Sequence, residues 1–397
     1  RIGGGIEFDA VKADTHLILG WQDHNFFGGF RQYRVTFQPG VVFYPLRVDN
    51  WVAPSQLLPE FRLRNELRQP GFIEARTNGL IRPELNLFPV LLPTSAKSSR
   101  TVPGYLEFKL GAGLERVLWR LFGSATYNVQ IEYPFTYRGP SDPALRTLLL
   151  SYLDLVTNLN LQDDRVRPHD GFYVGNSFQI AGGVLGGNAK DVRVQPDLRA
   201  YVPLGKSVTL ALRSSVGFLF PSNYSSFAHE GTTRPATSAA DIRDLQIVFF
   251  RGFFAGGPNS DRGYPLRGIG PFVAVASSAF GGSASLAACT ASGSSLASCR
   301  IPVGGATLWE ASTEVRFDVA GPLSMATFCD AADVSPETVN IRFARPHLSC
   351  GGGLRYGTPV GPIRLDIGYR IPGLQVIGPS DATEEEPDRW LGLPIAI

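Results

Sequence analysis

The sequence predicts an all-β chain whose strands form one transmembrane antiparallel β-barrel of about 16 strands, a single domain over residues 1–397. Three observations carry this. The composition holds 44 glycines, 30 prolines and 26 phenylalanines but one methionine, the profile of many short strands joined by turns. Runs of about ten residues alternate apolar and polar with period two, and each run ends in a turn signal. Within a run, charges of both signs share one face and large apolar side chains take the other, as in a wall between lipid and a watery lumen. A soluble sandwich alternates too, but one barrel accounts for the length without several domains.

In chain order the predicted strands are Ile2–Val11, His16–His24, Arg31–Tyr44, Pro59–Arg68, Thr77–Phe88, Gly104–Glu115, Phe122–Phe135 and Leu145–Thr157. Phe172–Ala181, Val192–Val202, Ser207–Phe218, Leu308–Val319, Met325–Ala332, Leu348–Thr358, Ile363–Ile371 and Trp390–Ile397 complete the set. The alternation is clearest where Ile363, Leu365, Ile367 and Tyr369 oppose Arg364, Asp366, Gly368 and Arg370, and where Val315 and Phe317 oppose Glu314 and Arg316. It is weakest at Leu148-Leu149-Leu150, where three apolar residues run together. Short turns such as Phe26–Gly29, Gly205-Lys206, Ala320–Pro322 and Gly361-Pro362 fall at one end, the periplasmic one by the rule for such barrels. The long segments Pro89–Pro103, Leu219–Thr307, Asp333–His347 and Pro372–Arg389 then lie outside the cell.

Other chemistry finds little support. A net charge of +2 gives no basis for nucleic-acid binding. The five histidines show no metal-ligand spacing, and the glycine run Gly182–Gly187 lacks the following Lys-Ser/Thr of a phosphate loop. No metal, no cofactor and no enzymatic activity are expected. Cys289 and Cys299 bracket a polar loop without histidine or acid, which reads as a disulfide and an oxidising compartment. Cys329 and Cys350 lie on neighbouring strands and share the outer face, but strand ends set them several residues out of line, so their bridge stays open.

One loop stands apart: Phe253-Phe254-Ala255-Gly256-Gly257-Pro258-Asn259-Ser260-Asp261-Arg262-Gly263-Tyr264, running on to Gly270-Pro271. Its glycines and prolines exclude a strand or helix interior, leaving a shaped loop that presents Arg262 and Tyr264. This motif resembles the sixth extracellular loop of the BamA/TamA superfamily of outer-membrane assembly factors, closest to its TamA-like branch. The run Gly353–Asp366, the segment Asp23–Gly28 and the turn Asp163–Gly171 extend the resemblance over most of the chain.

The resemblance implies a bacterial outer-membrane barrel whose long loop folds back into the lumen. Arg262, with Gly263, Tyr264, Phe254, Gly256 and Gly257 around it, would pair there with Glu314 and Asp330 on the two following strands. Arg251, in a lone Arg-Gly-Phe, is expected to matter less. Asp261 stands where an apolar residue is common, and could compete for Arg262. Soluble POTRA domains are expected before the barrel. The sequence ends without the family's terminal phenylalanine, so either the native end lies beyond Ile397 or the last strand is atypical.

The implied function is insertion of other barrel proteins into the outer membrane, or export of proteins across it. A seam between the first and last strands, weakened by Gly3, Gly4 and Gly5 on one side and Leu391, Gly392 and Pro394 on the other, would accept an incoming strand. Partners would be membrane lipids, client barrel or secreted proteins, and accessory lipoproteins or an inner-membrane-anchored protein. A passive channel or a two-partner-type secretion pore are the alternatives.

Overall fold

A computed structural model describes residues 2–8, 13–44, 54, 56–91, 102–139, 145–224, 238–264, 266–274, 300–344, 346–358, 361–371 and 395–396. Sixteen strands form one antiparallel sheet in which each strand pairs with its neighbours in chain order. They are β1 (Ile2–Phe8), β2 (Ala13–Asp23), β3 (Gln32–Tyr44), β4 (Gln56–Gln69), β5 (Thr77–Pro89), β6 (Val102–Leu118), β7 (Leu121–Arg138) and β8 (Leu148–Asn160). There follow β9 (Gly171–Ala181), β10 (Asp191–Pro203) and β11 (Val208–Pro221). After an insertion come β14 (Thr307–Ala320), β15 (Leu323–Ser335), β16 (His347–Thr358), β17 (Gly361–Arg370) and β18 (Ile395–Ala396). The insertion holds a helix, α1 (Ala239–Arg251), and a two-stranded ladder of β12 (Phe272–Ala274) with β13 (Arg300–Pro302).

The inner and outer faces invert the rule for soluble proteins. On β17, Ile363 is 63% exposed and Leu365 49%, whereas inward-facing Arg370 is 8% exposed. On β15, Asp330 and Phe328 are buried and Met325 is exposed. Apolar side chains face out because the surroundings are lipid, and the strand parity follows from that.

Leu148-Leu149-Leu150 no longer reads as a break in pattern. Leu149 points out, while Leu148 and Leu150 are buried against Ile247 and Val248 of α1. The inner wall is apolar there because it seats a helix. That helix starts in a capping box, with the Ser238 hydroxyl accepting from the Asp241 N–H and the Asp241 carboxylate accepting from the Ser238 N–H. Its opposite side, Ile242, Leu245 and Phe249, packs on Val90 and Tyr105 near β5 and β6. Contacts from one insertion to β6, β8, β10 and β14–β17 mean that the sheet wraps around it.

Cys329 and Cys350 are direct cross-strand partners with Cα atoms 4.0 Å apart, and they form a disulfide. The misalignment expected from strand ends does not occur, because β15 runs to Ser335, three residues past its predicted end, and the register follows the ladder. Cys289 and Cys299 lie outside the described residues.

Candidate functional site

The loop after α1 is shaped by its glycines. Gly256 and Gly257 have φ of 95° and 103°, a left-handed backbone that disfavours other residues. The Gly257 N–H donates to the carbonyls of Tyr264 (2.9 Å) and Asp261 (3.2 Å), closing the loop on itself and aiming Arg262 at the wall. Gly263 rests against β16 and β17: a Cβ there would sit 2.3 Å from the Cβ of Ser349, and a Cβ on Gly368 would meet the Arg262 carbonyl at 2.7 Å. Two glycines thus bring the two backbones into contact.

Arg262 is 8% exposed and spends nearly all its donors on the wall. Nε and Nη2 donate to the two oxygens of Asp330 at 2.7 and 2.8 Å, and Nη1 donates to Glu314 at 2.6 Å. The backbone N–H of Arg262 also reaches Asp330, at 3.1 Å. Nη1 is 3.4 Å from Asp366, and Nη2 is 3.3 Å from the Ser312 hydroxyl. The guanidinium plane lies 3.5 Å over the centre of the Phe328 ring. A buried guanidinium is tolerable only when paired, and the bidentate fork to Asp330 is the strong form of that pairing. The structure therefore brings together Arg262, Glu314 and Asp330, and adds Asp366, Ser312 and Phe328.

Around Arg262 the other motif residues pack rather than titrate. Tyr264 is buried with Phe253, Ala255 and Ile269 against Leu219, Leu308 and Val334; its ring meets His347 edge-on and carries the Arg370 guanidinium at 4.7 Å. Phe254 meets Phe249 edge-on. Arg370 Nε donates to the Gly263 carbonyl at 2.7 Å. Asp261 does not compete for Arg262. Its carboxylate accepts from the Ser349 hydroxyl and the Gly263 N–H, hooking the loop to β16. Burial pushes this loop carboxyl up to about 7; the Ser349 hydrogen bond opposes the shift and the nearby Asp330 charge adds to it.

A second anchor lies at the other end of the insertion, and the sequence alone does not show its wall partners. Arg251, the last residue of α1, is 4% exposed. Its Nε and Nη2 donate to Asp191 at 3.1 and 2.6 Å, and Nη1 donates to Gln179 at 2.8 Å. The Tyr224 hydroxyl donates to the same Asp191 at 2.7 Å. One signal was available: Arg251 closes an amphipathic run that opens with the capping box Ser238-x-x-Asp241.

Of the seam residues, Gly3, Gly4 and Gly5 pair with Ile18, Leu17 and His16 of β2. Leu391, Gly392 and Pro394 lie outside the described residues. Among the described residues β1 is hydrogen-bonded to β2 and β18 to β17, and no ladder joins β1 to β18.

The profile of the Omp85 superfamily domain matches residues 107–375, well over half the chain and inclusive of the loop and all its wall partners. The chain belongs to the Omp85 superfamily. Solved structures agree on the fold. BamA from Haemophilus ducreyi lacking POTRA domains 1–3 superposes with a TM-score of 0.62 at 13% identity, covering 94% of this chain and 66% of that one. CdiB from Escherichia coli gives 0.53 at 10% identity, over 93% and 59%. CdiB from Acinetobacter baumannii gives 0.51 at 11%, over 93% and 55%. This Omp85 chain thus spans two thirds or less of the length of each. No curated protein matches it. As an Omp85 barrel it is an integral protein of the bacterial outer membrane.

Proposed function

We propose that this barrel assists the insertion of other β-barrel proteins into the outer membrane. The observation that carries the reading is the buried contact set of Arg262 with Glu314, Asp330 and Asp366, which fixes the insertion inside the lumen. A barrel filled this way is poorly suited to passive conduction, and the chain performs no covalent chemistry in this reading. Work is done at the sheet's ends: the outer edges of β1 and β18, which no ladder joins among the described residues, offer a template that an incoming strand completes by β-augmentation. The anchored insertion keeps the wall in shape while those ends separate. Clients, accessory lipoproteins or an inner-membrane-anchored partner, and POTRA domains ahead of Arg1 complete the proposed assembly.

The test is reconstitution in lipid vesicles, with folding of an unfolded barrel client followed by protease resistance. Faster client folding with the wild-type protein, lost in Arg262→Ala, is expected; no acceleration over empty vesicles overturns the reading. The likeness to two CdiB structures favours a second reading, a two-partner-type polypeptide secretion pore. It predicts transport of a soluble exoprotein without client insertion.

A further inference from the structure

Three short turns at the periplasmic end carry large apolar side chains that stay exposed among the described residues. Each strand reverses the last, so the turns after β2, β4 and β6 share that end. They present Phe27 and Phe30 between β2 and β3, Phe72 and Ile73 between β4 and β5, and Trp119 between β6 and β7. Phe27 is 87% exposed and Trp119 79%, an unfavourable arrangement if these tips stood in water. Phe27, Phe30 and Trp119 also hold φ of 56°, 58° and 56°. A bulky side chain is an outlier in this left-handed region, where glycine is unstrained. Trp119 and Arg120 form the whole link between paired Leu118 and Leu121, and the first position of so tight a hairpin is glycine's usual place. Aromatic rings kept at three strained positions point to a task for the rings.

The turns lean on the lipid side of the wall. Phe26 stacks on Tyr33 at 4.7 Å and meets Trp21 and Phe27 edge-on, and Trp21 and Tyr33 share the outward parity of Leu19 and Phe37. Phe72 lies over the outward side of Gly79, where a Cβ would fall 2.9 Å from its ring. Trp119 continues the exposed Leu118 and Leu121. The apolar band of the membrane-facing wall thus runs on into these tips. Polar neighbours are paired or stacked: Arg116 meets Glu74 at 2.5 Å, and the Arg120 guanidinium lies 5.5 Å over the Trp119 ring. Later turns at the same end are built differently. Between β8 and β9, Val166 stands among three aspartates and two arginines; between β10 and β11, Leu204 is followed by Gly205-Lys206-Ser207; between β14 and β15 the link is Gly321-Pro322.

We propose that the turns after β2, β4 and β6 are seated in the headgroup and adjoining acyl region of the periplasmic leaflet, while the later turns stand in water. Lipid is the occupant because the exposed tips are continuous with the lipid-facing wall, and Trp and Phe rings favour the headgroup boundary. Strand-end aromatics girdle such barrels all round; a seating of turn tips on one side only goes further. It anchors the barrel to lipid on its N-terminal side, the side of the β1 edge. The inference holds whatever the barrel handles.

The experiment places the fluorophore NBD on single added cysteines of the barrel in lipid nanodiscs. Phe27→Cys, Ile73→Cys and Trp119→Cys report on the early turns, and Arg165→Cys and Lys206→Cys on the later ones; the unaltered protein treated with the label supplies the blank. All five positions are exposed, so each variant keeps its fold, checked by unchanged mobility on unheated SDS gels. Labels on the early turns are expected to be quenched severalfold more by a nitroxide-bearing phospholipid than those on the later turns, with the order reversed for iodide in the buffer. Iodide quenching of the early labels as strong as that of the later ones overturns the proposal. Shielding of the early labels from both quenchers also overturns it, in favour of a protein cover. Equal lipid quenching at all five positions removes the one-sided seating and overturns it as well.

Discussion

Arg251 and Arg262 are two arginines on one insertion, eleven positions apart, and both are buried in forks to an aspartate. Their surroundings differ. The side chains of Arg251 and Asp191 hydrogen-bond only with each other and with Gln179 and Tyr224 among the described residues, a closed pair on β9 and β10 with the Arg193 guanidinium as the nearest further charge. Arg262 enters a shared network on three strands: besides Asp330 it meets Glu314, which also serves Arg316 and Arg355, and Asp366, which also serves Arg364. A closed pair fixes a position. A shared network ties one loop to the charge balance of the lumen, so its loss spreads.

The largest effect is expected from Arg262→Ala. Removing one member of a buried pair costs about 3–5 kcal/mol, and here Asp330 and Glu314 both lose a partner. Urea unfolding in detergent should show the upper part of that range, with client folding abolished. Arg251→Ala should cost about 3 kcal/mol, since Asp191 keeps the Tyr224 hydroxyl. Its client folding should persist once the protein is folded; abolition in both variants would erase the distinction between the anchors. Replacing Cys329 and Cys350 by serine removes a link across 21 residues, worth at most about 3 kcal/mol by chain entropy. The expected loss is smaller, because the β15–β16 ladder already orders the wall, and Arg251 should couple to Asp191 as before.

The smallest effect is on pH dependence. Asp261 carries a folded pKa of about 7, above the ordinary aspartate value, so the native state holds a proton that the unfolded chain lacks across the interval from about 4 to 7. Stability from this group is therefore greatest at the acid end, declines as pH rises through that interval, and is level above it. Asp261→Asn should flatten that decline in a series of thermal unfolding curves. A wild-type and variant pair with parallel pH profiles would contradict the assignment.

Much of this was legible in the sequence. Period-two alternation with charges on one face placed the strands, because lipid and lumen impose opposite demands on alternate residues. The Arg262 loop was visible because glycines and prolines cannot sit in a ladder, and Asp366 carried the same inward parity as Arg364. What was hidden depended on contacts between distant segments. Leu148 and Leu150 obscured their strand because they seat α1, and α1 itself was lost within a long connection. The alignment of Cys329 with Cys350 depended on a register that strand ends do not fix. Asp261 looked like a rival for Arg262 until Ser349, 88 residues away, supplied its partner.

The central claim is that Arg262 and Asp330 hold the insertion to the wall as one unit. A double-mutant cycle on unfolding free energy tests it directly, using Arg262→Ala, Asp330→Ala and the pair. The expected result is a coupling of about 2–3 kcal/mol, the double variant losing that much less stability than the two single losses summed. Effects that add to within about 0.5 kcal/mol would contradict it.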